Sequence, residues 1–307
     1  MARTLITGIA GFTGRHLASE LTGAGHEVVG LTHAGGSTQP GTIACDLTDA
    51  AALNAAVQQL QPEAVVHLAG ISLAPHGDVD ALYRTNVLGT RNLLAALVAL
   101  PQRPKAVLLA SNANVYGNAS VGVVDESVPP APASDYAVSK LAMEYMAQLW
   151  RAQLPITIVR PFNYTGVGQS EDFLLPKIVG HFQRRAAVLE LGNLDVERDF
   201  SDVRSVARCY RLLLKVQQLT TESGAIFNVC SGTGYTLREV LSLAAELTGY
   251  MPEVRVNPAF VRANEVKRLV GSKEALEQAI GPVTAVPLRE TIQWMLQSGD
   301  AHLAADA

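Results

Sequence analysis

Six short apolar runs alternate with segments of helical spacing over the first half of the chain, and no other feature limits its fold so strongly. The runs are Arg3 to Thr7, Glu27 to Thr32, a short one ending at Cys45, Glu63 to Leu68, Lys105 to Ala110 and Ile156 to Arg160. Glu63 to Leu68 and Lys105 to Ala110 are almost continuously apolar, as strands covered on both faces are in a parallel sheet. Phe12 to Gly25 puts Leu17, Ala18 and Leu21 on one helical face. Asp49 to Leu60 begins at Thr48 or Asp49 as N-cap and stops before Pro62. Strands alternating with helices connect right-handedly into a doubly wound parallel α/β sheet. With 48% hydrophobic residues among 307, the chain can bury the core such a sheet needs.

After Arg160 the pattern changes. Pro161, Gly166, Gly168 and Pro176 punctuate the sequence, and strands shorten to Val188 to Leu191 and Ala225 to Val229. No Gly/Ser linker separates the two regimes, so the expectation is two interleaved units. The larger holds residues 1–162 with parts of 198–232; a smaller C-terminal one holds 163–197 and 233–307. Helices near 78–100 and 134–150 are apolar around more than one face, through Leu93, Leu94 and Leu97 and through Leu141, Met146 and Leu149. Such helices are buried on two sides, within one chain or against a second subunit; a homodimer through them is the expectation.

Several classes drop out. A net charge of −4 lacks the Lys/Arg excess on which phosphate-backbone binding depends, so nucleic acid is not an expected partner. The longest apolar stretch, Leu93 to Leu100, is far below the roughly 20 residues of a membrane-spanning helix, so no membrane association is expected. The first residues run directly into a strand pattern without a secretory apolar region, which predicts a cytoplasmic protein. Cys45, Cys209 and Cys230 are odd in number and far apart, as reduced thiols are. Neither they nor the seven histidines show metal-ligand spacing.

The chemistry begins at Thr7-Gly8-Ile9-Ala10-Gly11-Phe12-Thr13-Gly14, between the first strand and the first helix. Glycines let the backbone turn sharply and approach a pyrophosphate, while the helix N-terminus offers N–H donors and partial positive charge. Gly8, Gly11 and Gly14 are spaced GxxGxxG, and a dinucleotide cofactor is predicted there. NAD-selective sites usually carry an acidic residue at the end of the second strand, to accept from the ribose 2′-hydroxyl. Here that end reads Gly30-Leu31-Thr32-His33. Without a carboxylate to repel a 2′-phosphate, and with Thr32 or His33 able to donate to one, NADP(H) is favoured and NAD(H) stays possible; the alternative for His33 is a solvated loop histidine.

Tyr136 and Lys140 stand one helical turn apart, downstream of Ser111-Asn112-Ala113-Asn114-Val115-Tyr116-Gly117 at the end of the fifth strand. A cation beside a phenol favours the phenolate, so Lys140 is expected to lower the Tyr136 pKa. Tyr136 would then exchange a proton with a carbonyl or alcohol oxygen. Tyr116 reads as a packing residue.

These motifs together resemble the extended short-chain dehydrogenases/reductases that act on nucleotide sugars, over essentially the whole chain. The resemblance implies a Rossmann-type sheet with a smaller substrate domain. It also implies cofactor contacts at Gly8, Gly11, Phe12, Thr13, Gly14, Asp46, Leu47, Leu68, Ala69, Gly70, Asn86, Tyr136, Lys140, Pro161 and Phe162. The family normally has Ser or Thr where Asn112 stands; an amide can donate to a carbonyl but cannot relay a proton as a hydroxyl does. Ser111 is one place too early to replace it, because adjacent strand residues point to opposite faces. Ala113 and Asn114 occupy the places where the family's dehydratases carry carboxylates, and Asn114 also replaces the cysteine of its 3,5-epimerising reductases. What remains is 4-keto reduction or 4-epimerisation.

The later segments resemble those of enzymes acting on GDP-deoxyhexoses. Asn193 and Leu194 in Leu191-Gly192-Asn193-Leu194 would flank guanine, and Arg198 would pair with the diphosphate, the alternative being a local Arg198–Asp199 salt bridge. Arg262 would contact phosphate and Glu265 ribose, with Ala263 where proline is usual. Asn163 and Lys177 are further diphosphate candidates, against a loop-stabilising Asn and a solvated Lys. The resemblance thus implies NAD(P)H-dependent reduction of a GDP-4-keto-6-deoxyhexose. Alternatives are a nucleotide-sugar 4-epimerase with tightly bound NAD and a binding protein that has lost catalysis.

Overall fold

The computed structural model describes residues 2–33, 41–72, 78–118, 122–220, 223–260 and 266–303. In chain order the elements begin β1 (Arg3–Thr7), α1 (Phe12–Gly23), β2 (Glu27–Thr32), β3 (Thr42–Ala44), α2 (Ala50–Leu60), β4 (Ala64–His67), α3 (Val79–Tyr83) and α4 (Thr90–Val98). They continue with β5 (Ala106–Ala110), α5 (Asp135–Gln148), β6 (Ile156–Pro161), β7 (Asn163–Thr165), α6 (Leu174–Gln183), β8 (Val188–Leu191), β9 (Glu197–Asp202), α7 (Val203–Thr220) and β10 (Ala225–Val229). The last are β11 (Gly234–Thr236), α8 (Leu237–Thr248), β12 (Glu253–Val256), β13 (Arg268–Leu269), α9 (Glu274–Ile280) and α10 (Leu288–Leu303).

Seven parallel strands form the main sheet in the order β10-β6-β5-β4-β1-β2-β3. Strand order reverses between β1 and β4, and in such sheets ligands bind outside the carboxyl ends of the strands at that point. Side-chain alternation splits each apolar run between two cores. Leu5, Leu31, Val65, Val107, Leu109 and Ile158 pack with α2, α4 and α5. Ile6, Val66, Leu108, Val159 and Val229 pack with α1, α7 and α9. Leu5 and Ile6 are both fully buried, so removing either side chain to alanine would cost about 2–5 kcal/mol.

A third core lies outside the sheet. Phe182 of α6, Leu189 and Leu191 of β8, Phe200 of β9, Leu241 of α8 and Ile292 of α10 meet there. Small sheets hold it: β9 pairs with β7, β11 and β13, and β8 with β12.

One predicted helix is broken. The segment expected near 78–100 is α3, then a π-helical turn over Arg84–Gly89, then α4. The wider turn carries Asn86, which is buried. The 134–150 helix is α5, entered through Ser134, whose hydroxyl accepts from the Ala137 N–H at 3.3 Å. The N-cap of α2 is Asp49, accepting from the N–H groups of Ala51 and Ala52.

Candidate active site

The glycine turn is built for close approach. Gly8 has φ +72°, and its N–H donates to Leu31 O at 2.8 Å, tying β1 to β2. A Cβ on Gly8 would stand 3.0 Å from the Ala69 nitrogen, and one on Gly14 would meet Gly8 O and come within 2.7 Å of Ile9 Cα. Gly11 is the N-cap of α1 and supplies no side-chain acceptor, and the first turn holds no acidic residue. Its leading N–H groups therefore face outward unspent, the arrangement that binds a phosphate. Thr13 and Phe12 turn toward β7: Thr13 Oγ1 lies 2.8 Å from Tyr164 Oη, and the Phe12 ring stacks on Tyr164 at 6.1 Å. At the end of β2 the Thr32 hydroxyl is buried without a partner among the described residues, and His33 is exposed. One oxygen of the exposed Asp46 carboxylate accepts from the N–H and hydroxyl of Thr48, while Leu47 is buried against Gly89.

A directed chain of hydrogen bonds closes the β1–β4 crevice. The Ala69 N–H donates to Thr7 Oγ1, which donates to His67 Nδ1 at 2.6 Å. His67 Nε2 donates to Thr90 Oγ1 at 2.9 Å, and Thr90 donates to Asn86 O at 2.7 Å. The two hydroxyls thereby hold His67 as the neutral Nε2–H tautomer. Burial and the charge of Lys140 press its pKa down to about 3. Leu68 and Ala69 are partly exposed beyond it, and Gly70 is exposed. Asn86 bridges three segments, exchanging bonds with the Ile71 backbone and donating to Ser139 Oγ on α5 at 3.0 Å. A Cβ on Gly70 would lie 2.9 Å from Asn86 Oδ1 and 3.2 Å from Lys140 Nζ.

Tyr136 and Lys140 share one face of α5, turned to the ends of β4 and β5. Lys140 is buried, and its Nζ donates to Ala110 O at 2.9 Å. Burial lowers its pKa to about 8, against the pull of Glu144. The phenol of Tyr136 departs from the sequence expectation. Burial pushes its pKa well up, Tyr164 adds to the rise, and Lys140 does not offset it. The ammonium is aimed at the Ala110 carbonyl instead, so the phenol keeps its proton, the form a general acid needs. Just past β5, Asn112 Oδ1 accepts from the Asn114 N–H at 2.7 Å and caps the short turn Ala113–Tyr116. That bond orients the amide; among the described residues Asn112 Nδ2 is left buried without a partner, and the hydroxyl of Ser111 likewise. Orphaned buried donors at the mouth of a parallel sheet are where a ligand oxygen is expected. Tyr116 is a packing residue as predicted, fully buried with its hydroxyl on Asn228.

On the substrate side the outcome is mixed. Asn163 opens β7 with its Nδ2 buried and, among the described residues, without a hydrogen-bond partner. Pro161 and Phe162 are buried, Phe162 against Tyr116 and Gly271. Lys177 Nζ donates to Glu190 O in an exposed hydrogen bond of 2.9 Å and sits 4.3 Å from the Phe260 ring centre. Leu194 is only 8% exposed and packs into the third core, so its side chain does not form an open wall. Asn193 Oδ1 caps the turn at Asp195 N. Arg198 donates to the carbonyls of Glu197 and Lys267. The Asp199 carboxylate accepts from Ser231 and Gly232, so the alternative Arg198–Asp199 bridge is not what holds it. Arg262 and Glu265 lie outside the described residues.

Two residues of the site escaped the motifs. Tyr164 touches Thr13, Phe12 and the surroundings of Tyr136, contacts across 151 positions of sequence that no local pattern announces. Glu144 was open to sequence reasoning, since it continues the Tyr136–Lys140 spacing by one more turn.

Glycine turn, open helix end, buried donors and the Tyr–Lys pair on a doubly wound sheet fit a nicotinamide dinucleotide. Comparison with known proteins agrees. Residues 4–230 match the model of the NAD dependent epimerase/dehydratase family. GDP-6-deoxy-D-talose 4-dehydrogenase of Aggregatibacter actinomycetemcomitans is 33% identical, over 91% of each chain. GDP-6-deoxy-D-mannose reductase of Pseudomonas aeruginosa is 32% identical, over 98% of each. The crystal structure of a Burkholderia cenocepacia J2315 protein, 50% identical, superposes with a TM-score of 0.91 over 98% of both chains. That of RMD from Pseudomonas aeruginosa complexed with NADPH, 31% identical, does so at 0.85 over 98% of this chain and 100% of the other. The chain belongs to the NAD dependent epimerase/dehydratase family, within the extended short-chain dehydrogenases/reductases.

Proposed function

We propose that the protein reduces the 4-keto group of a GDP-4-keto-6-deoxyhexose with NADPH or NADH, giving GDP-D-rhamnose or its 4-epimer, GDP-6-deoxy-D-talose. The observation that carries this reading is the buried amide donor Asn112 Nδ2 just past β5, unspent among the described residues, on the strand whose end, Ala110 O, also receives Lys140 from the Tyr136–Lys140 face of α5. Relatives named for GDP-6-deoxyhexoses support the substrate class.

In this reading the glycine turn, with Gly8, Gly11 and Gly14, holds the cofactor pyrophosphate, and Thr32 and His33 meet the adenosine ribose. Asp46, Leu47, Leu68, Ala69 and Gly70 line the dinucleotide, and Asn86 braces the Gly70–Ile71 backbone against α5. When bound, the nicotinamide supplies hydride to carbon 4 of the sugar. Asn112 Nδ2 donates to the carbonyl oxygen and steadies the charge that builds there. Tyr136 gives that oxygen its proton, and Lys140 holds positive charge beside the oxygen and the ribose. Ketone, hydride and proton together make the alcohol. Asn112 has no hydroxyl through which to pass a proton, so Tyr136 must touch the substrate oxygen directly. Asn163, Arg198 and Arg262 take the diphosphate, Asn193 flanks the guanine and Glu265 accepts from the ribose hydroxyls. Residues 1–162 with part of 198–232 thus serve the cofactor, and 163–197 with 233–307 the sugar nucleotide.

The test is absorbance of the reduced nicotinamide. Protein mixed with NADPH or NADH and GDP-4-keto-6-deoxy-D-mannose should oxidise cofactor in proportion to substrate, with the product's configuration read by NMR. Absence of oxidation by enzyme that still binds cofactor would reject the reductase. Relatives named UDP-glucose 4-epimerase, at 26% identity, supply the second reading. It requires NAD carried through purification and no net cofactor use.

The same proposal includes a symmetric dimer. Tyr145 on α5 and Leu149 just after it, 60% and 78% exposed, and the exposed Leu88 and Val138 present apolar surface that a second copy of this face would cover. Light scattering of Tyr145→Lys/Leu149→Glu should report monomer, and unchanged mass would reject this face.

A further inference from the structure

We propose that Glu144, locked by Arg160, is a positioning residue for the reaction: its carboxylate is the buried counter-charge that keeps Lys140 an ammonium. The proposal rests on the reading of Lys140 as the cation of the active site.

Glu144 lies one helical turn beyond Lys140 and two beyond Tyr136, so the three share a face of α5. Its side chain and that of Arg160 on β6 are only 3% and 4% exposed. They meet fork to fork, Nε to Oε1 at 3.0 Å and Nη2 to Oε2 at 2.6 Å. The remaining arm of Arg160 donates to Tyr116 Oη at 2.9 Å, and Tyr116 donates to Asn228 Oδ1 at 2.7 Å. Asn228 in turn donates to Val124 O through its side chain and to Glu126 Oε1 through its backbone. The guanidinium is thus fixed on every side, and it fixes the carboxylate.

A buried ion pair of this kind is weak as a device for stability, because desolvating two charges cancels most of their attraction. Its placement has a clearer consequence. Lys140 is hemmed in by neutral groups: His67 on β4, held uncharged; Asn86 on the π-turn; the Ala110 carbonyl on β5; and the protonated Tyr136 on its own helix. Burial drives Lys140 toward the free amine, and among the described residues Glu144 is the carboxylate whose charge opposes this. Arg160 cannot release its proton at any working pH. If Glu144 were neutral, two buried cations would remain, and Lys140 is the one able to lose its charge. In the intact pair Arg160 shares the carboxylate, so the pull on Lys140 is partial.

The two halves of the pair therefore act on Lys140 with opposite sign, which no purely structural role would do. In protein carrying ¹³Cε-lysine, without cofactor, the resonance lost in Lys140→Arg reports the titration of Lys140 directly. Glu144→Gln should move that titration down by about one pH unit or more. Arg160→Met should move it up, and Glu144→Asp should restore the wild-type value. The basic limb of the NADPH-oxidation profile, expected near pH 8 in the wild type, should follow the same order. Shifts of the same sign in Glu144→Gln and Arg160→Met, or no shift in either, overturn the proposal. Should a single variant fail to fold, Glu144→Met/Arg160→Met removes the pair as neutral side chains of similar volume. Titration of Lys140 below the wild-type value in that protein supports the proposal, and an unchanged value overturns it. The NMR titration is readable even if the reductase assay fails, so the two readings fail separately.

Discussion

Tyr136→Phe removes one oxygen atom, and the structure says what that atom does. The ring stays packed on α5, and no hydrogen bond joins the hydroxyl to any described residue, so folding loses no bond. Stability should therefore stay within about 0.5 kcal/mol of the wild type, as for a substitution that touches no packing or network. The reaction loses its acid. Partial burial raises the phenol's pKa and keeps it protonated, and general acid catalysis by a placed side chain is worth roughly 10²–10⁴ in rate. That corresponds to about 2.7–5.4 kcal/mol of barrier at 1.36 kcal/mol per decade. Single-turnover oxidation of NADPH in a stopped-flow instrument measures this step without product release. Cofactor affinity, followed by NADPH fluorescence, and the thermal midpoint complete the set. Loss of rate with affinity and midpoint unchanged is the expected pattern. A rate within tenfold of the wild type would refute the acid role. A fall in affinity that matched the fall in rate would show instead that Tyr136 places the cofactor.

Asn112→Ala removes the donor and the cap of Asn114 together. Turnover should fall by roughly 10²–10³, and denaturant titration should show about 0.5–2 kcal/mol of lost stability; full activity would mean that Nδ2 does not meet the carbonyl. Gly14→Ala puts a methyl group against Gly8 O and 2.7 Å from Ile9 Cα. NADPH binding should be abolished in a chain that still folds, and retained affinity by calorimetry would remove the turn from the cofactor site. His67 carries a pH signature. Its folded pKa of about 3 lies below the ordinary histidine value, so acid protonates the unfolded chain first. Stability should fall by roughly 1.4 kcal/mol per pH unit as pH drops from about 6 toward 3. His67→Gln should flatten that slope in urea titrations, and an unchanged slope would locate the acid sensitivity elsewhere.

Legibility followed the range of the forces involved. Val188 to Leu191 and Ala225 to Val229 are strands in the structure with the bounds read from the sequence, although each carries one polar residue, Glu190 and Asn228, and is buried only in part. The 78–100 helix was visible as one pattern, but its π-turn was not. An extra residue per turn barely disturbs the spacing, and what holds it is Asn86 reaching Ile71 and Ser139. Lys177 and Leu194 looked like ligand residues in their motifs. Their partners, Glu190 O and Phe260 for one and the third core for the other, come from elements that meet only after folding.

The amino-acid order alone determined the parallel sheet, the phosphate turn and the one-turn spacing of Tyr136 and Lys140. Each is a matter of local periodicity or of glycine's freedom, and local physics is written in adjacent residues. Tertiary structure alone decided the charge states. Whether Tyr136 is phenol or phenolate, and whether Lys140 is an ammonium, depends on how far water is excluded and on which groups distant strands bring near. The sequence pair suggested a lysine that acidifies its tyrosine. The fold turns that lysine to Ala110, sets the phenol half-buried near Tyr164 with its pKa raised, and places the only opposing charge on Lys140, among the described residues, at Glu144 in the grip of Arg160.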